Sequence, residues 1–427
     1  MSEPVEALRG MPDILPEDAP YWQWLESAAR AVFAQYGYHE VRVPILERTR
    51  LFKRAIGEYT DIVEKEMFAF LDRDEESVAL RPEATAGIVR AAITHGLLYN
   101  QRHRLFTLGP MFRGERPQKG RYRQFYQIDV EAFGFQGPEI DAEMILLPAR
   151  LFKHLGITRV RLEINSLGTP ESRAVYRDQL QAYFKAHESQ LDEDSRRRLS
   201  GNPLRILDSK NPEMAALIAA APAMADYWDA PSKAHFESLQ RMLTDSGVPF
   251  TVNPRLVRGL DYYSRTVFEW VTDALGSQNA VCSGGRYDGL TALLGGIPTP
   301  AIGWALGMER IVLLLKELGI KPPVQALDGY LILVGDAAQA QGVALAEQLR
   351  DRLPGFALEA EFGGGGFKGQ FKRADKSGAR FALIMGDDEV ATGRVSIKSL
   401  RVEMPQVSVS LADVAEWFSQ HASTTRA

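Results

Sequence analysis

Five basic side chains crowd one short stretch of this chain: Arg113, Arg116, Lys119, Arg121 and Arg123 fall within FRGERPQKGRYRQF, opposed by the single acid Glu115. A planar guanidinium offers paired N–H donors that match phosphate oxygens two at a time. Such a density of arginine predicts a phosphate ester lying across the segment. The next residues read as a strand, in which alternate side chains point to opposite faces. Phe125, Gln127, Asp129 and Glu131 then share one face, and Tyr126, Ile128, Val130 and Ala132 the other. The first face carries acceptors between the rings of Phe125 and Phe133, which predicts a walled polar cavity. A solvated, charge-rich hairpin has the same composition, and these residues alone leave both readings open.

Four further stretches could contribute to chemistry. In LRPEATAG, Pro82 marks a break before a helix from about Ala84, so Glu83 and Thr85 lie near its first turn. An acid there is also what the helix dipole favours, so Glu83 reads equally as a cap. In LVRGLDYYSRTVFEW, Arg258 precedes Gly259 and Asp261, and a strand follows in which Tyr263, Arg265, Val267 and Glu269 alternate with Tyr262, Ser264, Thr266 and Phe268. In NAVCSGGRYDGL, Gly284 and Gly285 permit close backbone approach and display Arg286, Tyr287 and Asp288 beyond them. Arg310, in PAIGWALGMERIVLLL, opens a helix whose stripe is Ile311, Leu314 and Leu315.

The elements that must position these residues alternate along the chain. Trp22, Leu25, Ala29 and Phe33 recur at helical spacing over 21–35, and Gly37 stops that helix. Residues 39–47 are strand-like, but Pro44 cannot donate to a ladder and belongs at an edge or a break. A hairpin is expected over 67–71 and 78–80, a helix over 140–155 and a strand over 159–164. From 169 to 247 the texture turns charged and helix-prone, which predicts a helical insertion with Arg196, Arg197 and Arg198 on a solvated face. Strands return at Phe250. Pro322 and Pro323 mark a linker over 319–328. Beyond it strand-like and helix-like stretches alternate, which predicts a small α/β domain with a partly parallel sheet.

Bulk properties set limits. At 427 residues the chain can hold two or three domains, and its 45% hydrophobic and 25% charged residues are those of a soluble globular protein. A net charge of -5 gives no support to a strongly basic nucleic-acid binder, so any RNA contact relies on local patches. Cys282 is the single cysteine, which excludes an intramolecular disulfide and multi-cysteine metal sites, and the seven histidines show no metal-ligand spacing. No metal site is expected. The N-terminus lacks signal-peptide regions, and the longest apolar run, 214–225, contains Pro222 and is too short to span a bilayer. No membrane association and a cytoplasmic location are the expectation.

Taken together, these stretches resemble the class II aminoacyl-tRNA synthetases, in the histidyl-tRNA synthetase form of bacterial type. Residues 21–47 resemble motif 1, FRGERPQKGRYRQF motif 2 and GMERIVLLL motif 3, while RGLDYY and GGRYDGL resemble the two histidine-specific signatures. GGGGFKGQFKRADKSGA resembles the anticodon-binding domain of the same family. The resemblance implies an α+β catalytic core over 1–322, an antiparallel sheet flanked by helices. It also implies a helical insertion at 169–247 and a C-terminal α/β anticodon-binding domain at 328–427. The implied activity is that of a histidine–tRNA ligase: ATP activates L-histidine to the adenylate, and histidine passes to the 3′ end of histidine tRNA. ATP would bring Mg2+, and motif 1 implies a homodimer.

The resemblance also assigns roles residue by residue. Arg113 would contact the α-phosphate, Arg121 and Arg310 the outer phosphates, and Phe125 would stack on adenine. Arg258 matches the family's catalytic arginine. Glu83, Thr85 and Gln127 match contacts to the α-amino group, and Glu131 and Tyr263 those to the imidazole. Arg116 and Gln118 match positions that read the extra 5′ guanosine of histidine tRNA. Ala84, Tyr126 and Gly114 depart from the family's commoner glycine, histidine and larger side chain, which puts acceptor-end contacts near Gly114 in doubt. A histidine-binding regulatory paralogue of the family is the rival reading. It lacks the anticodon domain and departs from the catalytic signatures.

Overall fold

The computed structural model describes residues 5–57, 60–209, 211–257, 260, 262–276, 279–323 and 326–421. The chain forms two compact units, divided between Pro322 and Pro323. The first contains strands β1 (His39–Glu40), β2 (Leu46–Arg48), β3 (Ala69–Leu71), β4 (Ser77–Leu80), β5 (His103–Phe112), β6 (Gln124–Phe133), β7 (Arg161–Ser166), β8 (Phe250–Val252), β9 (Ser264–Val271), β10 (Ala280–Arg286) and β11 (Ala301–Gly307). Eight of them form one sheet in the order β1-β5-β6-β11-β10-β9-β7-β8. Every pair from β5 across to β7 is antiparallel, and the edges β1 and β8 pair parallel to their neighbours.

The alternation in β6 decides which face is the core. Ile128, Val130 and Ala132 point into a cluster with Leu25, Ala29 and Phe33 of helix Ala19–Gln35 and with Ile140, Met144 and Leu151 of helix Pro138–His154. Helix Ala230–Asp245 adds Phe236, Leu239 and Leu243 to the same cluster. Helices therefore cover one face of the sheet, and the acceptor-bearing face of β6 is left to the site. Pro44 divides the strand-like 39–47 segment: β1 joins the large sheet, and β2 joins a separate three-stranded sheet, β2-β4-β3. A residue without an N–H cannot continue one ladder, so the segment changes sheets around it.

Between β7 and β8 the chain is helical, with helices Pro170–Ala186, Glu193–Gly201, Ala215–Ala219 and Ala230–Asp245 joined by tighter turns. Thr169, Asp192 and Asp229 each cap a helix by accepting the N–H of a serine three residues on. Tyr176, Leu180, Phe184 and Leu204 from this region pack in one cluster with Tyr263 and Val267. The helical segment thus backs a strand that lines the site.

One local expectation fails at β9. The run from Tyr263 to Glu269 was expected to alternate strictly, but Arg265 has φ +49° and the β9–β10 register shifts between Gly285 and Arg286. Ser264 pairs with Arg286 and Val267 with Gly285, so two residues are spare and Arg265 leaves the row. A left-handed residue in a strand marks a bulge, which re-aims the side chains on either side of it.

The second unit holds β12 (Gly329–Leu333), β13 (Leu358–Ala360), β14 (Phe381–Met385), β15 (Arg394–Ser399) and β16 (Val407–Ser410), in the order β13-β12-β14-β15-β16. β12 runs parallel to β13 and β14, and β15 and β16 are antiparallel. Both faces of β12 and β14 are buried. Leu331, Leu333, Leu383 and Met385 face one cluster, Tyr330, Ile332, Ala382 and Ile384 the other, as an α/β sheet with helices on two sides requires. Among the described residues no helix is long and apolar enough to cross a membrane.

Candidate active site

The exposed end of β6's acceptor face opens into a cavity of ≈ 400 Å³ walled by β6, β9, β10 and β11. Its two ends differ in charge. Toward one lie the carboxyls of Glu83 and Asp129 with Tyr262, Tyr263 and Tyr287, toward the other Arg121 and Arg310, and Arg113 stands between them beside Phe125, its charge acting on Glu83 and Asp129 as well as on Arg310.

Glu131 is fully buried behind the acid end. Thr85 donates its hydroxyl to one carboxylate oxygen at 2.6 Å, and the Tyr287 hydroxyl donates to the other. The carboxylate lies across Gly303, where a Cβ would collide with it. At Gly285 a Cβ would collide with the Thr266 carbonyl oxygen at 2.5 Å and crowd the Tyr263 ring at 3.0 Å. These two glycines in adjacent strands leave the room their larger neighbours fill. Burial, above all, pushes the Glu131 carboxyl well above the usual range. Glu83 accepts the Ala86 N–H at 2.9 Å, and burial raises it too. It is both the helix cap and a wall of the site. Burial and then the neighbouring Glu83 charge push Asp129 up to about 8.

The cationic end is held by carbonyls. Arg113 donates Nε to Pro82 O at 2.9 Å, and its guanidinium carbon sits 5.1 Å from the centroid of the Phe125 ring. Arg310 donates to Ala280 O at 2.6 Å and to Gly120 O at 3.3 Å. Arg121 is paired with the buried Glu115. Burial lowers the proton affinity of Arg113 and Arg310, and the charges of Arg121 and Arg113 lower that of Arg310 further. Three guanidiniums crowded in a partly dry site favour a polyanion between them. Glu309 accepts the Tyr126 N–H at 2.9 and 3.1 Å, and burial pushes it up to about 7.

Of the residues singled out from sequence, Glu83, Thr85, Arg113, Arg121, Phe125, Gln127, Tyr263 and Arg310 line this one cavity, with Glu131 directly behind it. Arg116 and Gln118 do not; they are exposed on the loop between β5 and β6, where Gln118 and Arg121 exchange backbone hydrogen bonds of 3.0 and 2.9 Å. Arg258 lies outside the described residues.

Sequence reasoning gave no role to Asp129, Tyr262, Tyr287 or Glu309. For Tyr287 a signal existed in the GGRYDG run, and the structure gives the run its meaning. Arg286 is fully buried and bonds Asp141, with further bonds to Phe135 O at 2.9 Å and Gly137 O at 3.0 Å. Asp141 also accepts from Thr266 at 2.6 Å and lies 2.7 Å from His235 Nε2, while Asp288 accepts the Ala301 N–H at 3.0 Å. Flanked by these anchors, Tyr287 has one direction left, toward Glu131.

Residues 10–311 match the family described as Histidyl-tRNA synthetase, and residues 329–421 match the family described as Anticodon binding domain. A Histidine--tRNA ligase from Halorhodospira halophila is 56% identical over 413 residues, covering 97% of each chain. A Histidine--tRNA ligase from Dechloromonas aromatica is 56% identical over 418 residues, again covering 97% of each. Among solved structures, an apo histidyl-tRNA synthetase from S. aureus superposes with a TM-score of 0.82 at 35% identity, covering 97% of this chain and 99% of that one. The match spans both units, and the cavity pairs acceptors sized for a small amino acid with a cluster of phosphate-matching arginines: the chain belongs to the histidyl-tRNA synthetase family.

Proposed function

We propose that the chain joins histidine to histidine tRNA in two steps, activation by MgATP to histidyl-adenylate and transfer to the tRNA 3′ end. The observation that carries the reading is the placement of a pinned, buried carboxylate, Glu131, behind one end of a cavity whose other end is an arginine cluster. Glu131 and Tyr263 hold the imidazole; Glu83, Thr85 and Gln127 hold the α-amino group. A site that hydrogen-bonds a ring on both sides leaves buried groups unpaired when another amino acid enters, which rejects it strongly.

Histidine's carboxylate attacks the α-phosphorus while pyrophosphate leaves, so the task of the protein is positioning and charge neutralisation. Arg113 meets the α-phosphate, Arg121 and Arg310 the outer phosphates, and Phe125, flanked by Arg113, stacks on adenine. Arg258 supplies a further cation at the reacting phosphate. Arg116 and Gln118, exposed on the loop, read the 5′ end of the tRNA.

The second unit binds the anticodon, with the basic helix Phe367–Lys376 facing RNA. A homodimer forms through the 39–48 segment. The small sheet supports this: Ile45 and Leu46 are each 42% exposed and Leu71 is 66% exposed, an apolar surface that a partner would cover.

The test is pyrophosphate exchange dependent on histidine and ATP, run beside charging of a histidine tRNA transcript. Both reactions are expected. Exchange without charging would leave the adenylate step standing and refute the acceptor. Histidine binding with neither reaction would favour a histidine-sensing, non-catalytic role.

A further inference from the structure

The cavity wall holds a carboxyl group that none of these assignments uses. Asp129 is 1% exposed, projects from β6 between Gln127 and Glu131, and has no hydrogen-bond partner at either oxygen among the described residues. Gln127 Oε1, the next acceptor on the same face, has none either. Unpaired buried acceptors are costly, so a wall carrying three such atoms side by side is built for donors that arrive with a ligand.

The surroundings narrow what those donors are. Asp129 pairs with Thr107 on β5 and Ala305 on β11, and Ser283 of β10 lies beyond Ala305. None of these carries a charge. The cations that act on it are Arg81, which donates to Pro110 O at 2.9 Å and Val43 O at 3.0 Å, and Arg113, which donates to Pro82 O. The carboxyls nearby are Glu83, just ahead of helix Thr85–Thr94, and Glu131 on its own strand. Three carboxyls converge on one small space, and Glu131 is already committed to Thr85 and Tyr287. What remains is a slot for a compact cation with several N–H donors.

We propose that Asp129 is a further substrate-binding residue, receiving with Gln127 Oε1 the primary ammonium group of the amino acid. The inference rests on the histidine-activating reading above. In the free protein Asp129 is held up at about 8 by burial and by Glu83, so it carries a proton at neutral pH. A bound ammonium ionises it, and the proton leaves to solvent. Histidine binding therefore strengthens as pH rises toward about 8 and then levels off.

The experiment is calorimetric binding of histidine and of 3-(imidazol-4-yl)propanoate, which lacks the amino group, to the full chain and to Asp129→Asn. The substitution is expected to weaken histidine by roughly ten- to a hundredfold and the deamino analogue by less than about twofold. The rise of histidine affinity between about pH 6 and pH 8 should flatten in the variant. Equal weakening of both ligands, or unchanged histidine binding, overturns the assignment. If the variant does not fold, Asp129→Ser takes its place in the same titrations: selective weakening of histidine supports Asp129, and equal weakening of both ligands overturns it. No histidine binding by the parent chain would overturn the functional reading as well, whereas histidine-dependent exchange with an indifferent Asp129→Asn would overturn this inference alone.

Discussion

The two ends of the cavity solve opposite problems with different materials. At the arginine end Arg113 and Arg310 are steadied by main-chain carbonyls, those of Pro82, Gly120 and Ala280, and Arg121 by the Glu115 carboxylate. At the acid end the key group is locked from both sides by hydroxyls, Thr85 and Tyr287, and seated in a slot that only glycine leaves open. A polyphosphate needs charge matched over a wide area, and small adjustments cost little. A single imidazole has to be told apart from similar rings, and a carboxylate that could swing would tell nothing apart. On the proposed reading, this site separates affinity from discrimination.

That separation can be broken from either side. The largest effect is expected at the arginine end: Arg310→Ala or Arg113→Ala should cut pyrophosphate exchange by about a hundredfold to a thousandfold, and Arg258→Ala at least as much. The histidine affinity of Arg310→Ala in the absence of ATP should stay within about threefold, as read by calorimetry, whereas Arg113→Ala, whose charge reaches Glu83 and Asp129, should change it more. At the acid end, Glu131→Gln should lower kcat/KM for histidine by about a hundredfold while leaving the KM for ATP in place. A parallel rise in both KM values would show that the ends are not independent. Tyr287→Phe removes one of the two locks and should raise the KM for histidine by roughly tenfold.

The last effect is a gain. Asp129, at about 8 in the folded chain, binds a proton over a pH range in which an unfolded aspartate does not. The folded state then holds more protons than the unfolded one, so its stability falls as pH rises from about 4 to 8. Asp129→Asn should raise the stability of the ligand-free protein at neutral pH, by a few kcal/mol, and should lessen its decline with pH. A variant less stable than the parent at pH 7.5 would contradict the unpaired state of this carboxyl. Stability conceded at a binding group is a common signature of function.

What the sequence disclosed follows the same division between local and distant. The two faces of β6 were legible because strand alternation is a property of consecutive residues. Pro44 announced its break, and the helical texture between β7 and β8 was plain in its composition. The lock on Glu131 was not legible, since Tyr287 stands 156 residues away and meets it only through the pairing of β6 with β11 and β11 with β10. Nor was the unpaired state of Asp129, which depends on what three neighbouring strands fail to offer. Arg265 was misjudged for a related reason: a bulge arises from how two strands register, and no pattern within one strand reports it.

Gly303 carries a consequence for how this chain can change over time. Any side chain there pushes Glu131 from its seat and crowds the Val130 carbonyl oxygen at 2.9 Å. If Glu131 selects histidine as proposed, such a chain, where it still folded, would activate histidine poorly and other amino acids in its place, and every mischarged tRNA would write its error into other proteins. A dead allele is silent beside a healthy copy, whereas this one would poison the cell that carried both, so selection at this single hydrogen atom acts on the whole proteome.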